Sequence, residues 1–254
     1  MSYTGNIILY TGPMFGGKTS RLMADYDKYS RANKKCIFIR YMNDNRYDNS
    51  ITHNNNYYIK ETDNEKFLSS GIKFNEIKTQ YLYSIDNIIK DYDVICIDEI
   101  QFFEDGYIFC EKWANENKII RLSGLISTSN RELFPNIIKL LPIIENSIYC
   151  SAVCTDNNNM EAYFTDRINT NDKNDILIGG TEYYKPVDRK IWYSNKNNYI
   201  LFYTKLIKDY SIILNNTNNY NYVINDDKLY NYLNEKFPKN IDLKDCLLIC
   251  SNKE

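Results

Sequence analysis

One stretch decides most of what this chain can become: Gly12-Pro13-Met14-Phe15-Gly16-Gly17-Lys18-Thr19, a match to the phosphate-loop pattern G-x-x-x-x-G-K-[ST]. An apolar run, Ile7-Ile8-Leu9-Tyr10, precedes it, and a helical pattern through Arg21-Leu22-Met23 and Tyr26 follows it. Strand, loop and helix in that order is the context the pattern requires. The glycines let backbone N–H groups curl around phosphate oxygens, and the helix that starts here adds its positive end. Lys18 is placed to reach the β- and γ-phosphates and Thr19 to offer its hydroxyl to Mg²⁺. The nucleotide-binding set therefore runs from Gly12 through Ser20. A Gly-rich turn before an ordinary helix is the plainer alternative, and the flanks argue against it.

A second element supports the first. Asp93-Val94-Ile95-Cys96-Ile97 reads as a buried strand and ends in Asp98-Glu99. That is the Walker B position, where Asp98 binds magnesium through water beside Thr19. Glu99, one residue on, is where a carboxylate can take a proton from an attacking oxygen. These elements specify Mg-ATP hydrolysis or phosphoryl transfer without choosing between them. Asp44 and Arg46 follow another apolar strand, Cys36-Ile37-Phe38-Ile39, at the edge that carries ligands in open α/β sheets. Arg46 could supply a cation near the transferring group and Asp44 could hold a sugar hydroxyl; as isolated residues both read as surface charges.

The rest of the first 150 residues alternates strand and helix: a helix from Lys18 to about Ala32, then a helix, a short strand near Ile72–Phe74 and a further helix within 61–91. Helix over Gly106–Asn117, strand over Lys118–Leu122, helix over Phe134–Leu141 and strand over Ile148–Val153 complete the run. This predicts one α/β domain over 1–150 with a mostly parallel sheet and helices on both faces. Residues 151–194 are polar and turn-rich and read as a small module. Residues 195–254 read as a partly helical extension, with helices at Leu201–Ile212 and Asp226–Phe237. The only histidine, His53, falls in a polar stretch and reads as surface.

Composition narrows the partners. A net charge of -2 on 254 residues gives no support for wrapping DNA. No apolar run reaches bilayer length and nothing resembles a signal peptide, so a soluble, cytoplasmic protein is expected. Seven cysteines, an odd number without a short secreted scaffold, point to thiols rather than disulfides.

Taken in order, the motifs resemble the type II thymidine kinases, the cellular, bacterial and poxvirus-like family. The phosphate loop resembles that family's G-P-M-F-x-G-K. Asp44-Asn45-Arg46-Tyr47 resembles D-x-R-Y, Thr52-His53 its T-H, and Asp98-Glu99-Ile100-Gln101-Phe102-Phe103 its D-E-x-Q-F-F. Ala152-Val153-Cys154 resembles the approach to its zinc module, and Ile178-Gly179-Gly180 with Tyr184 its substrate-covering lasso. The resemblance implies a P-loop, RecA-like sheet domain with a small lasso-bearing domain, assembled as a homotetramer. It implies transfer of the ATP γ-phosphate to the 5′-hydroxyl of thymidine or deoxyuridine. By resemblance, Glu99 is the general base, Arg46 and Lys18 complete the catalytic set, and Asp98 and Gln101 join the nucleotide-binding set. Met14, Asp44, Phe102, Leu125, Phe134, Leu177, Ile178 and Tyr184 hold the nucleoside.

Three departures qualify the resemblance. Of the four zinc-ligand positions only Cys154 is kept; Asn157, Asp188 and Ile191 occupy the others, so no structural zinc is expected. Ser129 stands where the family has an aromatic that stacks on the base, and Ile126 and Thr128 stand at two acidic positions. Stacking of that kind is worth roughly 1–3 kcal/mol. About sixty residues follow the resemblance. A thymidine kinase with an altered base pocket is the expectation; a nucleotide-binding regulatory relative and a generic ATPase are the alternatives.

Overall fold

Apolar runs too continuous for half-exposed strands become a six-stranded sheet in which every neighbouring pair is parallel. In the computed structural model, residues 5–44, 59–62, 65–129, 132–156, 160–168 and 179–193 are described. The sheet strands are β1 (Asn6–Thr11), β2 (Cys36–Tyr41), β5 (Glu76–Thr79), β6 (Val94–Ile97), β7 (Ile119–Ser123) and β8 (Asn146–Tyr149). Their spatial order is β5-β2-β6-β7-β1-β8. The loop-bearing β1 is thus an interior strand beside the edge strand β8, and β7 separates it from β6, which leads into Asp98. This is the P-loop, RecA-like sheet that the sequence predicts.

Residue alternation divides each strand between two cores. Ile7, Leu9, Ile37, Ile39, Ile95 and Ile97 point to one face; Tyr10, Cys36, Phe38, Val94 and Cys96 point to the other. Helix α1 (Lys18–Arg31) covers the second face with Leu22, Met23 and Tyr26, one stripe at helical spacing. Helices α3 (Gly106–Asn115) and α4 (Pro135–Leu140) cover the first with Cys110, Trp113, Ile137 and Leu140. Beneath α1 the buried Arg121 donates to Asp25 (2.9 Å), Asn6 (2.6 Å) and the Tyr29 hydroxyl (2.7 Å), so its charge is fully engaged.

Three predicted elements differ. The helix expected early in 61–91 is instead a hairpin of β3 (Ile59–Thr62) and β4 (Glu65–Leu68), paired Ile59 to Leu68 through Thr62 to Glu65. The strand expected at Ile72–Phe74 lies at β5, while Lys73 makes only an isolated bridge to Phe67. The following 3₁₀ turn Leu82–Ile85 and short α2 (Asp86–Ile89) match the second helix. The strand expected over Ile148–Val153 breaks at Cys150: β8 stays in the sheet, and β9 (Ala152–Val153) pairs with β10 (Glu161–Ala162). A further hairpin joins β11 (Phe164–Arg167) to β12 (Tyr184–Val187). The predicted extension, 195–254, lies outside the described residues, as does His53. Among the described residues no helix is long and apolar enough to cross a membrane.

Five cysteines among the described residues are buried free thiols. Burial raises the titration of Cys36, Cys96 and Cys110. Burial likewise raises Tyr26, and burial with the Asp25 hydrogen bond raises Tyr10. In the unfolded chain thiols ionise near pH ~8.5 and phenols near ~10. The folded groups hold their protons to higher pH, so their contribution is intact below those values and lost as pH rises beyond them. The urea midpoint should therefore fall steadily above about pH 9 while staying nearly flat from about pH 7 to 8. A midpoint unchanged up to about pH 11 would contradict this account.

Candidate active site

The carboxyl ends of β1, β2, β6 and β7 meet along one edge, and every polar residue expected to do chemistry in the described chain follows one of them. After β1 the chain enters the loop at Gly12, whose φ of 137° belongs to glycine. A Cβ there would lie 2.1 Å from the carbonyl oxygen of Cys150, so the loop can pass the end of β8 only without a side chain. Gly17, with φ 76°, ends the loop in a left-handed conformation, but a Cβ there would meet nothing within 4 Å. The Gly16 N–H donates to the Pro13 carbonyl (3.3 Å), closing the turn. Lys18 Nζ donates to the same carbonyl (2.7 Å) and is buried, which ties its side chain back to the loop.

Asp98 leaves β6 on the α1 face. Its carboxylate accepts from Thr19 Oγ1 (3.2 and 3.3 Å), from Ser123 Oγ and from the Glu99 N–H (3.2 Å). A hydroxyl and a carboxylate sharing one corner beside a glycine loop are hard oxygen donors, the set that suits Mg²⁺. Thr11, a 1 % exposed residue whose hydroxyl has no hydrogen-bond partner among the described residues, lies immediately before that loop. The donors and the open turn at Gly17 fit a magnesium-bound phosphate chain.

Glu99 takes the opposite direction. Its backbone is left-handed, φ 53° and ψ 45°, a conformation that costs a non-glycine residue roughly 1–2 kcal/mol. The carboxylate, almost wholly buried, accepts from Gln101 Nε2 (2.5 Å). Gln101 was expected among nucleotide contacts; the structure places its side chain between Glu99 and the Leu125 N–H, which donates to its Oε1 (3.1 Å).

Of the residues expected to hold a nucleoside, Phe102 and Phe134 meet edge-on at 6.2 Å, and Tyr41 packs on Phe102 at 5.3 Å. Asp44 is buried just beyond β2. Leu125 lines a cavity of about 180 Å³ together with Gly12 and Pro13. Met14 reaches the same region through its backbone N–H, which donates to Thr165 Oγ1 on β11 (3.0 Å). Tyr184 opens β12 and is buried. Arg46, Leu177 and Ile178 lie outside the described residues. Four aromatic residues that the sequence reading left unassigned, Tyr149, Tyr163, Phe164 and Trp192, line the cavity wall. Ser123, Thr165 and Asn136 were also missed. Ser123 could have been found only from the strand register that sets Ile97 beside Leu122.

The retained cysteine stands in apolar surroundings among the described residues. Cys154 is fully buried in an apolar cluster with Ala152, Ala162, Val187 and Trp192, against which Phe164 and Ile191 pack. The Asp188 carboxylate accepts from the Ile191 N–H (2.8 Å) and starts a helical turn. Among the described residues no three His, Cys, Asp or Glu side chains group to hold a metal. Structural zinc sites are mostly built from four Cys or His ligands, and the described positions among the four, 154, 188 and 191, offer one thiol, an engaged carboxylate and a hydrocarbon.

Comparison with known proteins agrees with this geometry. The family model described as thymidine kinase matches residues 5–192. The chain is 39 % identical over 194 residues to thymidine kinase of Sheeppox virus (strain KS-1), covering 74 % of this chain and 97 % of that protein. It is 38 % identical over 189 residues to thymidine kinase of Variola virus, covering 74 % and 97 %. Thymidine kinase of Amsacta moorei entomopoxvirus is 38 % identical over 195 residues, covering 75 % and 98 %.

The two left-handed glycines should respond differently to a methyl group. Gly12→Ala should cost at least ~2 kcal/mol in urea unfolding and abolish heat release on Mg-ATP titration, because backbone must move. Gly17→Ala should cost only ~1 kcal/mol, the left-handed backbone penalty alone. Equal costs at both positions would contradict the close approach at Cys150.

Proposed function

The chain belongs to the thymidine kinase family, and from that premise we propose how its residues divide the work of ATP-dependent phosphorylation of thymidine. The observation that carries the division is the opposed setting of two consecutive carboxylates, Asp98 toward the loop and Glu99 toward Gln101. In this reading Asp98 and Thr19 hold magnesium, Asp98 through water. The ion supplies charge neutralisation on the phosphate oxygens. The residues from Gly12 through Ser20 cradle the phosphates with backbone N–H groups. Lys18 has three donors, so it can keep its bond to Pro13 and still address the phosphate chain.

Glu99 accepts the proton of the thymidine 5′-hydroxyl as that oxygen attacks the γ-phosphorus and ADP departs. Burial keeps water from competing for the same phosphoryl group. Asp44 is assigned to a sugar hydroxyl and Arg46 to charge developing on the transferring group. Met14, Phe102, Leu125, Phe134, Leu177, Ile178 and Tyr184 are assigned to the nucleoside. The aromatic wall near Leu125 supports retention of a flat base despite Ser129. We further infer that the segment 151–194 folds without zinc, that the protein acts in the cytoplasm, and that it assembles as a homotetramer as the family resemblance implies.

Purified protein with Mg-ATP and labelled thymidine should yield the 5′-monophosphate. Glu99→Gln should lower kcat by at least about 10²-fold with little change in ATP affinity. Product from Glu99→Gln at the parent rate would remove the base assignment. Metal analysis of protein purified without added zinc should find less than about 0.1 zinc per chain, and EDTA should leave the melting temperature unchanged. A melting temperature lowered by EDTA and restored by zinc would overturn the zinc-free reading.

A further inference from the structure

The amide of Gln101 is used at both ends. It stands on the 3₁₀ turn Ile100–Phe102 and is 3 % exposed. Its Nε2 donates to Glu99 Oε2 (2.5 Å), and its Oε1 accepts from the Leu125 N–H (3.1 Å). Its main-chain carbonyl accepts from Asn136 Nδ2 (3.0 Å), which pins the turn to α4. Only the NH₂ end of an amide can face a carboxylate and only the oxygen end can face an N–H. The two neighbours therefore allow one orientation. A glutamate would set a second negative charge against Glu99, and a leucine would fill the space while making neither bond.

Gly124 is shaped around this amide. A Cβ there would lie 2.7 Å from Gln101 Oε1 and 2.8 Å from Ile100 Cγ2, so the side chain reaches Leu125 only because residue 124 has none. The Glu99 backbone is already fixed by its left-handed conformation and by the Phe102 N–H donating to its carbonyl (3.0 Å). The Gln101 bond acts on the one part of Glu99 the backbone does not set, the rotation of its long carboxylate side chain. An acceptor that must meet one proton at one moment loses rate in proportion to the time it spends elsewhere.

We propose that Gln101 is the positioning residue of the phosphoryl transfer, holding the Glu99 carboxylate to the Leu125 backbone that lines the cavity beside the phosphate loop. This rests on the reading of Glu99 as the base. Gln101 exchanges no proton with substrate. Its N–H fixes where the carboxylate points, and its oxygen refers that direction to the segment on which the nucleoside lies. Occupation of the pocket and aim of the base are thereby linked through one side chain.

The test compares parent, Glu99→Gln, Gln101→Leu, Gln101→Glu and Gly124→Ala, each checked for folding by circular dichroism and melting. Gln101→Leu should lower kcat about 10- to 100-fold while KM for ATP stays within about twofold. Gly124→Ala should lower kcat in the same direction with the amide still present. Gln101→Glu should be most impaired at neutral and alkaline pH, where two charged carboxylates repel, and regain rate as pH falls, because a proton shared between them restores a donor toward Glu99. A residue that only supports the fold would not produce that pH dependence. If Glu99→Gln loses activity while Gln101→Leu keeps kcat within about threefold of the parent, the positioning role is overturned alone. A Gln101→Leu loss expressed wholly in KM for ATP overturns it in favour of a nucleotide contact. Full activity of Glu99→Gln would remove the base assignment and this inference with it.

Discussion

Asp98 accepts hydrogen bonds from three separately encoded parts of the chain: Thr19 at the start of α1, Ser123 at the end of β7 and the N–H of Glu99 in the turn it begins. The carboxylate is 4 % exposed. A buried charge of that kind is costly unless donors surround it, and here they come from both sides of the sheet position it occupies. The meeting depends on register. With Ile97 beside Leu122 and Leu9 beside the same residue, Asp98, Ser123 and the phosphate loop reach the edge together. A slip of one residue along β6 would turn Asp98 toward α3 and α4 and break the assembly.

The same alternation explains why adjacent carboxylates can have different duties. Asp98 continues the side of β6 that bears Val94 and Cys96, the α1 side. Glu99 continues the side of Ile95 and Ile97, and the left-handed turn carries it toward Gln101 and α4. The duties proposed for Asp98 and Glu99, metal binding and proton acceptance, would thus be separated by the thickness of one strand. Two carboxylates on a single face would repel each other and compete for one proton. Strain of roughly 1–2 kcal/mol at Glu99 is a modest cost for that separation.

The legible part of this fold was the part encoded by local pattern. Ile7–Tyr10, Cys36–Ile39 and Val94–Ile97 are unbroken apolar runs, and burial on both faces is the environment that permits them. The phosphate loop and Asp98-Glu99 are short motifs whose chemistry requires their spacing. The misread stretch, Ile59–Leu68, is rich in Lys and acidic residues and has too few apolar residues to set a period. It becomes a hairpin because Ile59 and Leu68 pair and Leu68 joins the α1-side core with Phe74, a tertiary effect that no window of residues contains. Ser123, Asn136 and Thr165 were invisible for the same reason: each gains its meaning from a partner between 25 and 151 residues away, a separation that the fold closes.

The departures at the zinc-ligand positions fall in the segment after β8, while Ile126, Thr128 and Ser129 precede it, and physical coupling explains how the site can tolerate the former. The small apolar cluster has three small members, Ala152, Cys154 and Ala162, so Val187 and Trp192 supply most of its buried area. At ~1.5–3 kcal/mol for each large side chain, that cluster is weaker than the ~10 kcal/mol a structural zinc can contribute. The segment is not left to its own resources. Thr165 accepts from the Met14 N–H, and the Tyr149 hydroxyl donates to the Tyr163 carbonyl (2.7 Å), joining β11 and its neighbour to the phosphate loop and to β8. Phe164 stacks obliquely on Trp192 at 5.8 Å while the Arg189 guanidinium lies 5.0 Å from the Phe164 ring. In the zinc-free reading proposed above, a segment joined to the phosphate loop in this way takes its order from these contacts. The consequence is that its stability and the geometry of the phosphate loop are one quantity rather than two.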